Sequence, residues 1–346
     1  PAGGFLKRGH RVEIWAAPGS NILEDANRRG IPSRALPIAR RGIGALRALR
    51  RALSESRPDV VNTHSSTDSW LIALARLTLP RPPPVVRTRH ISAPVSRDYA
   101  TRWLYSRATC HVVTTGERLR EQLVRDLRLR PGRVTSVPTG VDSMRFQPGG
   151  KTDARRVLGL GVDDRLVGIV ATLRSWKGHR FLVEAFAQLA AEMSDLRLLI
   201  VGDGPMHVSI VEQIMRLRLG DRVLLAGRQQ APEHWLQAID VFCLPSYDNE
   251  GVPQAVIQAM LTALPVVTTP VGSITEAVTH EVTGLIVSPR DATAIYAALR
   301  RVLTEPDLPE RLGRAAREDA VTRFGIDHMV SCMKSVFRGV VARRVS

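Results

Sequence analysis

Short apolar runs with the character of β-strands alternate with amphipathic helical stretches along almost the whole chain. This alternation is typical of parallel α/β domains, because the chain must cross back over the sheet, usually as a helix, before it adds each parallel strand. We therefore expect two Rossmann-like, doubly wound α/β domains that face each other across a cleft, with ligands at the C-terminal ends of their strands. The predicted strands are residues 11–15, 59–62, 85–88, 110–114 and 134–137 in the first half, and 166–170, 196–201, 223–225, 241–244 and 265–268 in the second.

A cluster of chain-breaking residues, Pro148, Gly149 and Gly150, marks the predicted linker. We assign residues 1–147 to the first domain and residues 148–325 to the second. Residues 326–346 form a C-terminal segment in which 327–344 predicts a helix with one apolar face, and this face needs a partner to pack on. The apolar residues are Met329, Val330, Met333, Val336, Phe337 and Val340.

The positive charge of the chain is concentrated in its first half. Residues 1–150 hold 26 Lys and Arg against 11 Asp and Glu, a net charge of +15, whereas the remainder holds 23 against 22, a net charge of +1. A basic half favours an anionic membrane surface or a phosphorylated acceptor as partner. Nucleic acid is not expected, because the arginines are scattered through helices and only 5% of the residues are aromatic and able to stack on bases.

Three cysteines, Cys110, Cys243 and Cys332, lie far apart and lack the spacing of a metal site. We expect them to be inert thiols in a reducing compartment. No stretch of the sequence approaches the ~18 consecutive apolar residues that span a bilayer. Together these observations predict a cytoplasmic protein, which the basic first half would bring to the inner face of the cytoplasmic membrane.

The most informative stretch is residues 246–260, which follows a predicted strand and opens a predicted helix. Pro253 suits the first helical turn, where its missing N–H would be unpaired in any case, and Gly251 lets another group approach the backbone closely. The free amides at such a helix start form an anion site, aided by the helix dipole. Glu250, just before it, could accept hydrogen bonds from ligand hydroxyl groups, although it would equally favour the dipole of a plain helix start.

A second stretch, residues 171–179, lies between a predicted strand and a predicted helix over 180–193. Arg174 and Lys177 bracket the start of that helix, and two cations beside free amides suit a diphosphate better than a neutral ligand. Two solvated loop cations would leave the same pattern. A third piece, residues 200–205, is a strand that ends in a tight turn at Gly202 and Asp203, and it lacks the spacing of a dinucleotide fingerprint.

In this order, the three stretches resemble those of the family-4 retaining glycosyltransferases of the GT-B fold. That family has a Lys-Gly after the first strand of the second domain, a Gly-x-Gly-Pro turn, and a Glu-x7-Glu segment followed by a Leu-Pro-Val-Val strand. Here these motifs are residues 177–178, 202–205, 250–258 and 263–267, the last followed by residues 270–273, and residues 138–142 resemble the hinge signature. The resemblance is strongest over residues 167–289. It implies that the C-terminal helix crosses back to pack on the first domain.

By this resemblance, Lys177 and a nearby arginine neutralise the diphosphate of a nucleotide-sugar donor, and Glu250 contacts the donor sugar. The second acidic position of the Glu-x7-Glu segment holds the ribose. The turn at Gly202 and Asp203 belongs to the same donor site. The backbone that holds sugar and phosphate is that of Gly251, Val252, Pro253 and Gln254.

Two positions depart from the family pattern. The phosphate arginine usually lies five residues before the lysine, where this chain has Thr172, so Arg174 is the expected substitute. The second glutamate is replaced by Gln258. A carboxylate accepts hydrogen bonds from both ribose hydroxyls, whereas an amide accepts at one end and donates at the other. We expect this to cost about 1 kcal/mol in binding, without loss of the chemistry.

In the first half, His64 and His90 end two predicted strands, where ligand-facing groups are expected. Either could also be an ordinary hydrogen-bonded loop histidine. His90 matches the position where the family places a histidine near the reacting sugar carbon. The resemblance therefore puts both on the acceptor side, ranks His90 above His64, and completes a catalytic set of His90, Lys177 and Glu250.

The start of the chain bears on the acceptor site. The sequence begins at Pro1 rather than at Met, and residues 8–10 match the end of the first helix of the family fold. We therefore expect the first strand and the Gly-rich acceptor loop to lie upstream of Pro1.

The resemblance implies transfer of a hexosyl unit, with retained anomeric configuration, to a glycan or lipid-linked acceptor in cell-envelope polysaccharide synthesis. No Asp-x-Asp occurs in the sequence, so we expect no metal and no cofactor, with cations and amides stabilising the leaving nucleoside diphosphate. Two alternatives stay open: a nucleotide-sugar epimerase of the same fold, and a non-catalytic sugar-nucleotide-binding subunit.

Overall fold

The computed structural model describes residues 2–90 and 95–345 of the chain, which divides into two compact units. Unit 1 consists of Pro1–Gly140 and Ile326–Ser346, and unit 2 of Val141–Gly325. Residues 141–147, which the sequence analysis assigned to the first domain, pack in unit 2, because Val141 and Phe146 are buried in its core. Both units are α/β structures with parallel sheets, which confirms the predicted fold class.

Unit 1 contains two parallel sheets, one of two strands and one of four. In the four-stranded sheet each strand pairs with the next along the chain, so its described part is wound in one direction. The sequence analysis missed the second strand, because it is short, partly polar and carries no apolar run. The strands are β1 (Ile14–Ala16) and β2 (Ser33–Ala35) in the small sheet, and β3 (Val61–Thr63), β4 (Val85–Arg89), β5 (His111–Thr114) and β6 (Val134–Ser136) in the larger.

The helices of unit 1 connect these strands. They are α1 (Ala2–Lys7), α2 (Asn21–Arg28), α3 (Ile43–Ser56), α4 (Ser66–Arg76), α5 (Tyr99–Trp103) and α6 (Glu117–Leu127). Helix α4 begins with a capping box: the Ser65 hydroxyl accepts from the Asp68 amide, and the Asp68 carboxylate accepts from the Ser65 amide. The same carboxylate accepts from the His64 amide at 3.0 Å. The end of β3 is therefore held in place by the helix that follows it.

Unit 2 is built on a six-stranded parallel sheet with a Rossmann strand order. Its strands are β7 (Arg165–Val170), β8 (Leu196–Val201), β9 (Val223–Gly227), β10 (Val241–Leu244), β11 (Val266–Thr268) and β12 (Leu285–Ile286). Their spatial order is β12-β11-β10-β7-β8-β9. The first strand of the unit, β7, thus pairs with both β8 and β10, and the winding direction reverses between β7 and β10. In open α/β sheets, ligands bind beyond the C-terminal ends of the strands at this reversal.

Helices separate the strands of unit 2, and a last helix returns to unit 1. They are α7 (Lys151–Leu158), α8 (His179–Glu192), α9 (His207–Arg216), α10 (Pro232–Ala238), α11 (Gln254–Leu261), α12 (Ala292–Thr304), α13 (Leu308–Phe324) and α14 (Ile326–Val345). No helix among the described residues is long and apolar enough to cross a membrane.

Helix α14 supplies part of the core of unit 1, as the sequence analysis expected. Val330 is completely buried, and Met329 and Met333 are nearly so, in one cluster with Val86 of β4 and Val113 of β5. The apolar face predicted from the sequence is the face that packs on this sheet. Burying such side chains contributes roughly 1.5–3 kcal/mol each.

A buried charged cluster joins α7 to the starts of β7 and β10. The Arg155 guanidinium is almost fully buried and donates to the carbonyls of Ala238 and Val162 and to Asp240 Oδ2, at 2.7–2.9 Å. Asp240 also accepts from the Leu166 amide and from Lys151 Nζ. The cluster therefore fixes the position of β7 relative to β10 along the strand direction, at the point where the strand order reverses.

Replacing Arg155 with Met should lower the free energy of unfolding by about 3 kcal/mol, because two carbonyls and one carboxylate oxygen lose a buried charged partner. The matched control is Arg156→Met, since the Arg156 side chain is 68% exposed and, among the residues that the structure describes, pairs only with Asp153 on its own helix. Such exposed pairs contribute within about 0.5 kcal/mol. Urea unfolding of the two variants measures the difference. Equal losses would show that the buried cluster does not stabilise unit 2.

Candidate functional site

Lys177 and Glu250 meet where the strand order of unit 2 reverses. Lys177 lies in the 3-10 turn that follows β7, and Glu250 lies in the loop that follows β10. Lys177 Nζ is 2.6 Å from Glu250 Oε1, and the Ser246 hydroxyl donates to the same oxygen at 2.7 Å. The two charged side chains are only 18% and 6% exposed. The structure thus brings the two predicted catalytic residues of unit 2 into direct contact.

Gly178 explains how these two loops come so close. It has φ +78°, and a Cβ at this position would overlap the backbone carbonyl of Pro245, the residue after β10. The Tyr247 amide donates to the Trp176 carbonyl at 2.8 Å, which ties the loops together on the other side of the lysine. Any residue with a side chain would push the loops apart. The glycine after Lys177 is therefore required by packing.

Gly272 has the corresponding role behind Glu250. It has φ +62°, and a Cβ there would overlap the Glu250 carbonyl oxygen. The Thr269 hydroxyl, at the start of the same loop, donates to the Ser246 carbonyl. The loop after β11 thus supports the backbone that carries Glu250. The sequence analysis assigned neither Gly272 nor Ser246 to the site. The available signal for Gly272 was a glycine in the loop that follows the next strand of the sheet, β11.

Helix α11 begins without a side-chain cap. Its first residue is Gln254, and Pro253 is the N-cap residue with φ −69° and ψ 127°. The sequence analysis placed Pro253 in the first turn of the helix, so the helix begins one residue later than predicted. No side chain among the described residues caps this helix start. Val252 and Pro253 are buried, whereas Gly251 is half-buried and Gln254 is exposed. An uncapped helix start leaves amides free to bind an anion.

The other predicted donor residues lie around this pair with different exposures. Arg174 is exposed, its guanidinium lies 5.7 Å from the centre of the Trp176 ring, and no described carboxylate pairs with it. Gln258 lies one helical turn after Gln254 and is half-buried, and its side-chain amide makes no hydrogen bond to a described residue. Both are available to a ligand.

The turn after β8 uses its polar groups within the protein. The Gly202 amide donates to the Gly227 carbonyl at 2.8 Å, and the Asp203 carbonyl accepts from the Leu173 amide at 3.0 Å. The Asp203 side chain is exposed and accepts from the Gly204 amide at 2.7 Å. The turn therefore supports the loop that carries Arg174 and Lys177.

His179 is a feature of the site that the sequence analysis did not identify. It is the first residue of α8, is 2% exposed, and neither ring nitrogen has a hydrogen-bond partner among the described residues. Burial, and then the nearby Lys177 charge, lower its pKa to about 4. The ring is therefore neutral at physiological pH, and it adds no charge beside the lysine. A histidine next to Lys-Gly was the only sequence signal.

In unit 1, His64 and His90 also come into contact. They follow the neighbouring strands β3 and β4, and their rings stack with centroids 5.3 Å apart. His64 Nδ1 is 2.9 Å from His90 Nε2, and Asn62 Nδ2 is 3.2 Å from His64 Nε2. The predicted acceptor-side residues thus form one hydrogen-bonded pair at the C-terminal edge of the sheet.

Both histidines of this pair favour the neutral form. Desolvation, and then the neighbouring His90 ring, lower the pKa of His64 to about 4, and desolvation lowers the pKa of His90. Both residues are nevertheless exposed on one side. The nearby Asp68 carboxylate acts in the opposite direction and raises the pKa of His64, whereas desolvation is the cause of the shift at His90.

The described residues contain no group of three or more His, Cys, Asp and Glu side chains that could hold a metal ion. The three cysteines are free, and burial raises the pKa of the Cys243 thiol.

The buried neutral His179 predicts a pH-dependent stability of unit 2. His179 is protonated below about pH 6.5 in the unfolded chain but only below about pH 4 in the folded chain. The free energy of unfolding therefore falls as the pH drops through this window. Between pH 7.5 and pH 4.5, wild type should lose about 2–3 kcal/mol more than His179→Leu. Urea unfolding at the two pH values measures this. His207→Leu, at an exposed position of the same unit, is the control; a His179→Leu curve parallel to wild type would contradict the prediction.

Two family models match the chain, one in each half. The model described as Glycosyltransferase Family 4 matches residues 2–145, and that described as Glycosyl transferases group 1 matches residues 150–319. D-inositol 3-phosphate glycosyltransferase of Xylanimonas cellulosilytica is 30% identical over 87% of this chain and 76% of its own length. UDP-Gal:alpha-D-GlcNAc-diphosphoundecaprenol alpha-1,3-galactosyltransferase of Escherichia coli is 27% identical over 87% of this chain and 80% of its own length.

Other relatives match over less of their length. N-acetyl-alpha-D-glucosaminyl L-malate synthase of Bacillus anthracis is 28% identical over 55% of this chain and 49% of its own length. The chain thus spans about half the length of several curated relatives that it matches.

Solved structures match nearly the whole chain. The crystal structure of Anabaena HepE in complex with UDP has a TM-score of 0.85 at 18% identity, over 98% of this chain and 95% of that chain. A glycosyltransferase from Rickettsia africae has a TM-score of 0.86 at 18% identity, over 98% of this chain and 92% of that chain. At this identity the likeness shows the fold, which is GT-B. With both halves matched by family models, the chain belongs to the family-4 glycosyltransferases.

Proposed function

We propose that this protein is a retaining glycosyltransferase. It moves a hexosyl unit from a nucleoside-diphosphate sugar to a glycan or lipid-linked acceptor in cell-envelope polysaccharide synthesis. The observation that carries the proposal is the contact of Lys177 with Glu250 beside the uncapped start of α11. A cation, a carboxylate and free amides within one loop cluster match the phosphate and the hydroxyl groups of such a donor.

Each donor-site residue has a proposed role. Lys177 and Arg174 neutralise the diphosphate, and the turn at Gly202 and Asp203 supports the loop that carries them. Glu250 accepts hydrogen bonds from the donor sugar, and Gln258 contacts the ribose. Because Lys177 carries three N–H donors, it can bind a phosphate oxygen while it keeps its bond to Glu250. The backbone of residues 251–254, that is Gly251, Val252, Pro253 and Gln254, holds sugar and phosphate.

The proposed reaction proceeds on one face of the sugar. The acceptor hydroxyl attacks the anomeric carbon as its bond to the phosphate oxygen breaks, and the departing phosphate takes the hydroxyl proton. Configuration is retained because the new bond forms on the face that the phosphate leaves. Lys177, Arg174 and the α11 amides stabilise the charge that develops on the nucleoside diphosphate. We propose that neither a metal nor a cofactor is needed for this step.

The relatives support the donor and acceptor classes. The Anabaena neighbour is described in complex with UDP and with UDP-glucose. The Escherichia coli relative is named for transfer from UDP-Gal to a diphosphoundecaprenol-linked sugar. We place His90 near the reacting sugar carbon, and His64 beside it, on the acceptor side.

The test is a screen of UDP-, GDP- and ADP-sugars for nucleoside diphosphate release, with polyprenyl-diphosphate-linked sugars as acceptors. We expect acceptor-dependent release of one nucleoside diphosphate, and Lys177→Ala should lower kcat about 10²–10³-fold because charge on the leaving group loses its cation. Glu250→Gln should reduce turnover in the same assay. Asp248→Asn is the control, since Asp248 is exposed and its Oδ1 acceptor is retained.

Two other outcomes would each contradict the proposal. Interconversion of a nucleotide sugar without acceptor would identify an epimerase. Calorimetric binding of a donor without turnover over the whole acceptor panel would identify a non-catalytic sugar-nucleotide-binding subunit.

We also propose that the protein works at the cytoplasmic face of the membrane, in peripheral contact through basic unit 1. A cavity of about 400 Å³ there is lined by four arginines and one carboxylate: Arg97, Arg102, Arg125, Arg128 and Asp126. Asp126 pairs with two of the arginines, at 2.9 and 3.7 Å, and the other two, Arg102 and Arg128, have no carboxylate partner within residues 2–90 and 95–345. The excess positive charge suits anionic lipid headgroups.

Co-sedimentation with vesicles tests this contact. Binding to phosphatidylglycerol-containing vesicles should fall at least about tenfold in the Arg102→Glu/Arg128→Glu variant, because each arginine near the surface contributes about 1 kcal/mol. Arg156→Glu/Arg216→Glu makes the same change of charge at exposed positions of unit 2 and should bind like wild type. Equal wild-type binding to neutral and anionic vesicles would contradict the electrostatic contact.

A further inference from the structure

A chain of four polar side chains crosses the C-terminal edge of the β3–β4 sheet. The Thr88 hydroxyl donates to Asn62 Oδ1 at 2.9 Å, and Asn62 Nδ2 lies 3.2 Å from His64 Nε2. His64 Nδ1 in turn lies 2.9 Å from His90 Nε2. Thr88 and His90 are the two ends of this chain, and His90 Nδ1 has no hydrogen-bond partner within the described residues.

The position of the Asn62 amide decides which nitrogens carry protons. An amide nitrogen can only donate, so His64 Nε2 must accept and the His64 proton must lie on Nδ1. That proton is then donated to His90 Nε2, so the His90 proton must also lie on Nδ1. Only neutral rings satisfy both contacts, because a doubly protonated imidazole accepts nothing.

We propose that Asn62 and His64 are positioning residues that fix the tautomer of His90 as the Nδ1–H form. The Thr88 hydroxyl orients the Asn62 amide, and the amide determines the tautomer of His64. His64 in turn determines the tautomer of His90. The exposed His90 ring then offers a ligand a hydrogen-bond donor and no acceptor.

This polarity has a chemical consequence, and its meaning for catalysis rests on the proposed transferase function. A His90 that presents Nδ1–H can stabilise an oxygen of the donor sugar or of the departing phosphate. It cannot take the proton of the acceptor hydroxyl at that nitrogen. The proton must therefore go to another base, which in the proposed reaction is the departing phosphate oxygen.

The tautomers can be read directly by long-range ¹H–¹⁵N correlation spectra of the histidine-labelled full chain at pH 7.5. His64→Gln and His90→Gln assign the two rings among the nine histidines. We expect a protonated Nδ1 and an unprotonated Nε2 on both rings. A protonated Nε2 on both rings, or an averaged mixture of tautomers, would overturn the proposal. Either result means that the Asn62 amide does not determine the tautomers of the two histidines.

An isosteric substitution tests the causal part. Asn62→Asp can still accept from Thr88 but can no longer donate, so it should switch both rings to the Nε2–H form. Asn27→Asp is the matched control: it adds the same charge to unit 1, and Asn27 already accepts from the Ser33 hydroxyl at 2.7 Å. Unchanged tautomers in Asn62→Asp, or the same switch in Asn27→Asp, would contradict the role of Asn62. The wild-type spectrum remains decisive if Asn62→Asp does not fold.

Activity separates the two proposals. In the acceptor-dependent assay, Asn62→Asp should lower kcat about tenfold with little change in the donor KM, because one hydrogen bond at the reacting centre is reversed. An unchanged kcat despite switched tautomers would show that the tautomer has no catalytic role. Absence of transfer in wild type would refute the proposed function and leave the tautomer result intact.

Discussion

The adjacency of β7 and β10 is the constraint on which the candidate site depends. Because the strand order reverses between them, the loops that follow these two strands end at the same point of the sheet edge. The Arg155–Asp240 cluster holds the two strand starts, and Gly178 lets the two loops touch. Residues separated by more than seventy positions thereby meet in one ion pair. Without this reversal, Lys177 and Glu250 would lie at separate strand ends.

The sequence carried local information well. Strand–helix alternation predicted the parallel α/β units, and the apolar face of α14 predicted its packing in unit 1. The helix start after Glu250 could be predicted because it depends on residues that are neighbours in the sequence. Contacts between residues far apart in the sequence could not be predicted in this way. The support of Glu250 by Gly272 and the contact of His64 with His90 both depend on strand pairing. Strand β2 was missed because its short, partly polar run does not alternate.

Each of the two units contains histidines whose neutral form is favoured. In unit 2, His179 lies beside Lys177 without a hydrogen-bond partner in the described part of the chain, and in unit 1 the His64–His90 pair is held in one chain of hydrogen bonds. Burial makes the charged form of the His179 ring unfavourable, and desolvation at their inner sides lowers the pKa of His64 and of His90. The neutral form of all three rings is therefore favoured near neutral pH.

The Lys177–Glu250 contact also bears on which ligands are rejected. Each of the two buried charges already has its counter-ion, so a neutral sugar that inserts between them must separate them and returns only hydroxyl contacts. A ligand with a diphosphate offers the ammonium a second anion at the same time as it offers hydroxyls to the carboxylate. A free sugar offers no such second anion, so its contacts do not offset the cost of separating the ion pair. In the proposed function, the ion pair would therefore favour an activated donor over a free monosaccharide.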